Sequence, residues 1–460
     1  MRIDLLRSWA APLFLLCCLI LGGASGRGAG ALANGLLQGM AILVIAILVW
    51  GRRNPIPRSA RQMMAIGGAF LLVVVISLIP LPGSLWAALP GREAIANGYR
   101  LLDMELPALP LTLSWNNSLA SILWLLPPAA MFVLTVQASP AQRTRMIWVA
   151  LGLMGVSIVL GVAQLLGGSD SALYFYRITN SLSPVGFFAN TNHLAILLVC
   201  GLPLVGCLAG RAYSGKSSKA QRHSMVIIAV AIGILLVAGI GITGSQAGFG
   251  LTLPGALAAF IIYRKAATGK VGRGWAVGLV ILFVAFVAVA LAGPLNRQSL
   301  SEETSGGPSS RGYLAATTVN AIEDVLPVGS GLGTFQEVYR MYDDPNLVRQ
   351  EFTNHAHNDY LELVLELGAA GALLILAFLI WWLVQSLAAW KATYQGVGLA
   401  RAGSVIIFVL LMHSLVDYPL RTSALAALFA LGCGFLVPYS RISRDTAPPV
   451  GDETLRHLKA

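Results

Sequence analysis

Long runs of apolar residues dominate this chain, and short polar segments separate them. Each run of roughly 18 or more residues is long enough to cross about 30 Å of hydrocarbon as a helix. The runs do not alternate apolar and polar residues, as the strands of a membrane barrel would. Because backbone groups in lipid must be hydrogen-bonded within helices or a closed barrel, the pattern predicts an all-α integral membrane protein.

The apolar runs predict about twelve transmembrane helices, with ends defined to within a few residues. They are expected at residues 9–24, 32–50, 63–79, 119–137, 146–166, 194–210, 226–243, 247–263, 275–291, 361–387, 403–416 and 424–438. The first run follows a basic start and precedes small residues, as a signal peptide does. In a chain with this many spans, we expect an uncleaved first helix.

The polar segments predict the domain organisation. We expect about five spans over 1–182, a second membrane region over 183–440, and a C-terminal tail over 441–460. The second region contains a long, partly helical loop at 293–359. Within it, RGYLAATTVNAIEDVL has apolar residues at helical spacing, PVGSGLG breaks the chain, and TFQEVYRMY begins another helix. A second long segment, 82–118, lies on the same side of the membrane.

Composition and charge add an orientation. The chain is 56% hydrophobic and 11% charged, whereas soluble domains carry about 25% charged residues. Most of the 31 Lys and Arg residues lie in alternate short loops and at both termini, and most of the 20 acidic residues lie on the other side. The positive-inside rule therefore predicts cytoplasmic termini and periplasmic long loops. Because the basic residues are spread over separate loops, nucleic acid is not an expected partner.

The stretch NHAHNDYLELVLELG places two histidines and three acids where a span begins. On a helix, Asp359, Glu362 and Glu366 share one face, with His357 on a neighbouring one. Capping by Asn358 or Asn354 and the helix dipole account for acids in the first turn. They account less well for Glu366, because it lies about 12 Å along the helix. An acid at that depth predicts a wet cavity or a charged partner, and it is a candidate functional group.

The two histidines of this stretch allow two chemical interpretations. His355 and His357 could form part of a metal site with Asp359, but zinc needs three or four ligands and no second cluster has suitable spacing. The five cysteines lie in apolar runs without C-x-x-C spacing. We therefore predict neither a metal nor another cofactor. A neutral imidazole acting as a general base is the better use of His357, because its ordinary pKa lies near operating pH.

Other unusual polar residues lie at the same ends of the spans. Arg311 opens the first helix of the long loop, and its guanidinium could bind phosphate oxygens, although a lone arginine is more often a surface charge. ITGSQAGFG predicts a tight turn between two adjacent spans, and GFFANTNHLA enters a span after a polar segment that contains Arg177. His413 and Asp417 share a helix face, for which a structural hydrogen bond is the favoured explanation.

Together these motifs resemble those of the O-antigen ligase and polymerase superfamily of bacterial inner membranes. HAHNDYLELVLELGAAG is similar to the family's H-N-x-Y-L-x-x-x-x-E-x-G signature, and GFFANTNHLAILL is similar to its G-x-F-x-N-x-N-x-x-A span entry. TGSQAG resembles T-x-S-R-x-G, and RGYLAATTVNAIEDVLPVGSGLGTF resembles the family's Arg-started helix and glycine turn. HSLVDYPL is also family-like. The resemblance covers roughly 183–439.

The resemblance implies an inverting, metal-independent glycosyltransfer at the periplasmic face. The donor would be a glycan linked to undecaprenyl pyrophosphate, and the acceptor would be a hydroxyl of the lipid A core or of a second lipid-linked repeat. His357 would activate the acceptor, and Arg311 would bind pyrophosphate. Further substrate contacts are expected from Arg177, Asn192, His193, Gln246, His355 and Glu366. The family usually has arginine at the position of Gln246, so an anion contact is missing there, for which Arg177 could substitute.

Two alternatives to a transferase stay open on the sequence. A multi-pass transporter or flippase of a polar or lipid-linked substrate would also have many spans and intramembrane acids. However, the polar groups here concentrate at one face, not at the midplane. A structural membrane subunit would have no charged outer cavity. Ligase and polymerase activities are not distinguished.

Overall fold

The computed structural model describes residues 2–25, 30–50, 55–213, 217–268, 310–347, 353–394 and 396–439. Within these ranges the chain is almost entirely helical. The strands described there are a single antiparallel pair, β1 (Pro80–Leu81) and β2 (Leu109–Pro110), in which Pro80 faces Pro110. The prediction of a mostly helical protein is therefore confirmed.

The helices are numbered here in chain order. The first eleven described helices are α1 (Arg2–Leu21), α2 (Ala31–Trp50), α3 (Arg58–Ser77), α4 (Gly83–Ala87), α5 (Glu93–Leu101), α6 (Trp115–Trp124), α7 (Leu126–Gln137), α8 (Pro140–Gly167), α9 (Thr191–Arg211), α10 (Lys219–Thr243) and α11 (Gln246–Thr268). They are followed by α12 (Arg311–Val325), α13 (Phe335–Tyr342), α14 (Asp359–Lys391), α15 (Val397–His413) and α16 (Ser423–Leu436), with 3-10 turns at Pro345–Leu347 and Pro419–Arg421.

The membrane-crossing part of the fold follows the apolar runs. Among the described residues, eight helical segments are long and apolar enough to span a membrane: α2, α3, the pair α6–α7, α8, α9, α10, α11 and α14. Shorter apolar helices lie at Ser8–Leu21 and in α15 and α16. All of these coincide with predicted spans. The remaining predicted span, 275–291, lies outside the described residues, so the total of about twelve stays a prediction, as do the domain boundaries.

Helix α9 forms the centre of the bundle. Its residues from His193 to Gly210 are all buried, and it packs against α8, α10, α11 and α15. Contact with α11 is very close at Gly206, where a Cβ atom would lie 2.2 Å from the carbonyl oxygen of Ala259. A larger residue at that position would push the two helices apart. Around this centre, α16 packs against α7 and α15, while α1 packs against α8.

Outside the bundle, α12 and α13 form a small second core over the start of α14. Both helices were predicted within the long loop and are confirmed in their described parts. The buried apolar residues of this core are Leu314, Ala321, Ile322, Val325, Phe335, Val338, Tyr339, Ala356 and Leu365. Because this core includes residues on both sides of His355 and His357 in the chain, it fixes the position of the histidine segment.

The two long polar segments contact each other through Arg92. Its buried guanidinium donates hydrogen bonds to the carbonyl oxygens of Leu111, at 2.6 Å, and Gly329, at 2.9 Å. Burial lowers the pKa of Arg92 to about 10. The backbone N–H of Leu113 also donates to the carbonyl oxygen of Ser330, at 2.7 Å. The two long polar segments therefore pack against each other.

Candidate functional site

The candidate site lies where α9 and α14 begin, α15 ends and the turn into α16 passes over them. Asn358 starts α14, because its side chain accepts hydrogen bonds from the backbone N–H groups of Tyr360 and Leu361. His357 therefore precedes the helix, with a left-handed φ of 49°. The expectation that His357 lies on a helix face was wrong, since the helix begins only after its N-cap, Asn358.

His357 faces the carboxylate of Asp417. Its Nδ1 atom lies 3.2 Å from Oδ1 of Asp417, and the side chain is 28% exposed, whereas that of Asp417 is fully buried. The Nε2 atoms of His413 and His193 lie 3.6 Å and 4.0 Å from the other oxygen, Oδ2. Burial alone would raise the pKa of Asp417, but the facing ring of His357 and the nearby rings of His413 and His193 hold it well below its usual value. Asp417 is therefore an anion that faces three imidazoles.

The ring of Tyr418 lies close to the rings of His355, His357 and His193. Its ring centroid lies 4.3 Å from that of His355, 4.8 Å from that of His357 and 5.2 Å from that of His193. The Asn354 amide donates a hydrogen bond of 3.4 Å to its hydroxyl. Burial, together with the charge of Asp417, raises the pKa of Tyr418 to about 12. The phenol therefore stays neutral and serves as an aromatic wall of the site.

Arg421 pairs with the three acids predicted to share a face of α14. Its guanidinium nitrogens lie 2.9 Å from Glu366, 3.5 Å from Glu362 and 3.7 Å from Asp359. Burial alone would lower the pKa of Arg421, but the three carboxylates raise it above its usual value. The spacing argument is thus confirmed, and the charged partner that Glu366 required is this arginine.

The same acids hold the histidine segment and the turn of α15. Glu362 accepts hydrogen bonds from His355, at 2.8 Å, and from the backbone N–H of Ala356, at 2.9 Å. Asp359 accepts from the Ser414 hydroxyl at 2.7 Å. Besides interacting favourably with the helix dipole, each of these two buried acids therefore connects two segments of the chain.

Glu366 fills the glycine turn that follows α12. One carboxylate oxygen accepts from the N–H of Gly333 at 2.8 Å, and the other accepts from Arg421. Gly331 donates to the backbone carbonyl of Glu366 at 2.7 Å. Gly331 and Gly333 have φ of 106° and 80°, a conformation that favours glycine. The Gly333 N–H therefore binds a carboxylate of the protein itself and the Gly331 N–H binds a backbone carbonyl, in agreement with an ordinary turn.

The structure brings several of the predicted site residues together. His355, His357 and His193 surround Tyr418, and Glu366 reaches them through Arg421. Asn192 lies beside His193, at the start of α9.

Gln246 opens α11 in a tight turn after Gly244, as predicted. That turn rests on α9, since the Thr191 hydroxyl donates to the Thr243 carbonyl at 3.3 Å. A Cβ atom on Gly248 would lie 2.8 Å from that of Ala195. Gln246 is therefore held close to the beginning of α9.

The two predicted arginines differ in their surroundings. Arg311 is half-buried at the start of α12, which packs on α14. Leu314 of α12 and Ala356 belong to the same small core, which links the helix of Arg311 to the histidine segment. Arg177 is exposed, and its side chain forms no hydrogen bond or ion pair with a described residue. Its predicted substitution for the missing family arginine stays untested.

Sequence reasoning missed the roles of Tyr418 and Arg421. A signal was present, because three acids on one face of an apolar helix need a cation, and YPLR places an arginine beside another span entry. Asp417 was expected only to pair with His413. Among the described residues, no group of three or more His, Cys, Asp or Glu side chains is arranged to hold a metal ion.

Comparison with known proteins gives one family. The O-antigen ligase family model matches residues 229–376, which include Gln246, Arg311, His357 and Glu366 but end before Asp417. No curated protein matches the chain. The match supports O-antigen ligase or polymerase-type glycosyltransfer in a multi-pass membrane protein. It confirms the resemblance carried by the motifs and supports membership of this chain in the O-antigen ligase and polymerase superfamily.

Proposed function

We propose that this protein transfers a glycan from undecaprenyl pyrophosphate to an acceptor hydroxyl at the periplasmic face of the bacterial inner membrane. The observation that carries this proposal is the pairing of a partly exposed imidazole, His357, with a fully buried carboxylate, Asp417. When Nδ1–H of His357 donates to Asp417, Nε2 keeps a lone pair that can accept a proton. This is the arrangement that a general base needs.

In the proposed step, the acceptor hydroxyl loses its proton to Nε2 of His357 as its oxygen attacks the anomeric carbon. The bond between that carbon and the pyrophosphate oxygen breaks, and the leaving group takes the bonding electrons. Attack opposite the leaving group inverts the configuration. Asp417 stabilises the imidazolium that forms, because it is a buried anion 3.2 Å away. In this step His357 acts as the base, and other side chains contact the leaving group. The proposal includes no metal.

The departing pyrophosphate gains negative charge, and we assign its binding to Arg311. A preorganised cation at a developing charge contributes strongly in a site that excludes water. Arg311 is also the first residue of α12, whose N-cap is Ser310, so the positive end of the helix dipole lies beside it. The amide of Gln246, held against the start of α9, offers a neutral donor where relatives carry a cation. Arg177 and Asn192 remain candidate glycan contacts.

The buried network behind the histidines supports the proposal as scaffolding. Glu366 and Arg421 satisfy each other, and Glu362 holds His355. We therefore assign Glu366 to positioning, with His355 and His193 forming the walls beside the acceptor.

A transporter remains the alternative, and α9 bears on it. This helix runs through the middle of the bundle, and from Leu194 to Gly210 it carries only apolar residues and glycine. A polar substrate or a proton relay would find no polar group along that helix. The histidines and their acidic partners gather at one of its ends, which supports chemistry at a surface.

The proposal is tested in a strain from which the gene has been deleted and then restored on a plasmid. We expect His357→Ala to reduce transferred glycan by about 10²- to 10⁴-fold, the usual contribution of a general base. Arg311→Ala should reduce it by about 10²-fold or more. Glycan on gels is compared at equal amounts of inserted protein. The matched controls are His223→Ala and Arg340→Ala, which replace exposed residues.

Normal glycan from His357→Ala would remove the general-base assignment.

The same gels distinguish the two acceptors in the deletion strain. Single repeats with lost chain length indicate an O-antigen or exopolysaccharide polymerase. Full-length lipid-linked glycan left unattached indicates a ligase that uses the lipid A core.

A further inference from the structure

A cavity of about 660 Å³ lies at the far end of the same helices that build the histidine site. Helices α9 and α14 begin at that site and end at the cavity, and α15 begins at the cavity and ends at the site. A helix such as α9, with 21 residues, is about 30 Å long at 1.5 Å per residue. The two regions therefore lie at opposite ends of the bundle.

Cations line this cavity from four chain segments. Arg211, Lys265, Lys391 and Arg401 all contribute to its wall, and none of the described residues that line it is Asp or Glu. We call it the basic cavity. The positive-inside rule explains cations in exposed loops near a membrane. It does not explain a cation such as Arg401, which is only 5% exposed and lies against the ring of Trp390, with its guanidinium carbon 5.8 Å from the ring centroid.

Part of this charge is engaged within the protein. Arg401 donates to the carbonyl oxygens of Ala389 and Ala392, and Lys265 donates to that of Trp390. These carbonyls end α14, whose dipole offers about half a negative charge. The two positive charges of Arg401 and Lys265 therefore exceed the partial negative charge at that helix end. Arg211 and Lys391 form no hydrogen bond or ion pair with a described residue.

The start of α15 forms part of the same wall. Its N-cap is Gly396, which has no side chain to accept from the first turn. The first residues of α15, Val397 to Leu399, line the cavity. The N–H groups of Val397 and Leu399 donate to the carbonyl oxygens of Tyr394 and Gly396, so the contribution of this helix start is the positive end of its dipole. A cation-rich cavity and a helix N-terminus thus favour the same kind of ligand, an anion.

We infer that the basic cavity binds a phosphate group, and that its source is the headgroup of an anionic phospholipid. The shared chemistry is the phosphate, which fits guanidinium and ammonium groups. The lipid source is favoured because the cavity opens at the ends of membrane-crossing helices, where headgroups lie. Its wall also contains the apolar side chains of Ile262, Val397 and Leu399, which suit the glycerol and acyl region. Basic pockets between transmembrane helices bind headgroups in this way.

The test uses the purified full-length protein in a neutral detergent. Short-chain phosphatidylglycerol and sodium pyrophosphate are titrated separately, and binding is measured by native mass spectrometry. The test variant is Arg211→Gln with Lys391→Gln, which spares the cations that cap α14. The matched control is Arg58→Gln with Arg61→Gln, which removes the same charge from exposed positions in the first turn of α3. We expect the test variant to weaken phosphatidylglycerol binding by about tenfold or more, while the control variant binds as the wild type does.

Each outcome bears on one part of the inference. Pyrophosphate binding as tight as that of the lipid, and lost in the same variant, would support the phosphate site and overturn the lipid as its source. Equal affinity of the wild type and the test variant for both probes would overturn the site. Glycan transfer is not part of this readout, so the result is independent of the proposed transferase activity.

Discussion

The two ends of the bundle carry charge in opposite ways, although the same helices reach both. At the histidine end, three acids share one arginine, and a further carboxylate is surrounded by imidazoles. At the basic cavity, four cations line an open space and none of the described lining residues is acidic. A buried charge is costly unless it is paired, so each acid at the closed end lies against a partner within the protein. The open end keeps an excess that an external anion can balance.

The largest expected effect breaks the closed end. Arg421→Met leaves three buried carboxylates without their cation, and removing one partner of a buried ion pair costs about 3–5 kcal/mol. We expect the thermal midpoint of the purified protein to fall strongly, and Arg421→Lys to recover part of the loss. Arg340→Met, at an exposed position, should unfold like the wild type. An unchanged midpoint for Arg421→Met would show that the acids are neutral or solvated.

A smaller effect is expected in how the stability of the closed end depends on pH. The pKa of Asp417 lies well below its usual value in the folded protein, so its contribution to stability is complete above the unfolded pKa, about 3.9. That contribution is lost as pH falls through the folded value. We therefore expect Asp417→Asn to be less stable than the wild type at neutral pH, with a difference that narrows on acidification below about pH 4. The measurement is the unfolding midpoint of both proteins across pH. A difference that stays constant with pH would assign Asp417 a steric role only.

The smallest expected effect lies at the open end. Lys265→Met removes one cation from the last carbonyls of α14, and a charge at a helix C-terminus contributes about 0.3–1 kcal/mol. We expect a small drop in the thermal midpoint in detergent without added lipid. Lys219→Met, in the first turn of α10, is the matched control. A loss as large as that of Arg421→Met would mean that the two ends do not differ in how tightly their charges are coupled.

Much of the fold was predictable because its signals are local. Apolar run length identified the spans, and periodicity identified α12 and α13 within the polar loop. The spacing of Asp359, Glu362 and Glu366 predicted their shared face, and Asn358 was one of two predicted caps. Each of these inferences needs only residues within a few turns of one another.

The assembled site was less predictable because its partners are distant in sequence. Arg421 and Glu366 are separated by 55 positions, and His193 meets Asp417 only because α9 packs beside α15. All the spans are similarly apolar, so hydropathy does not say which helix is central. The bend of the chain at His357 was also hidden, since a left-handed histidine has no marker in the neighbouring residues. Local rules therefore identified the groups but not their pairing.

The buried contact between Arg92 and Gly329 also constrains when this part of the protein can fold during synthesis. The two residues are 237 positions apart, and a ribosome that adds about 5–20 residues per second needs roughly 12–50 s to make the chain between them. During that interval the guanidinium has already been synthesised, but its carbonyl partner does not yet exist. The first polar segment therefore stays hydrated, without this contact, until late in synthesis. Its final shape is reached only when most of the protein has entered the membrane.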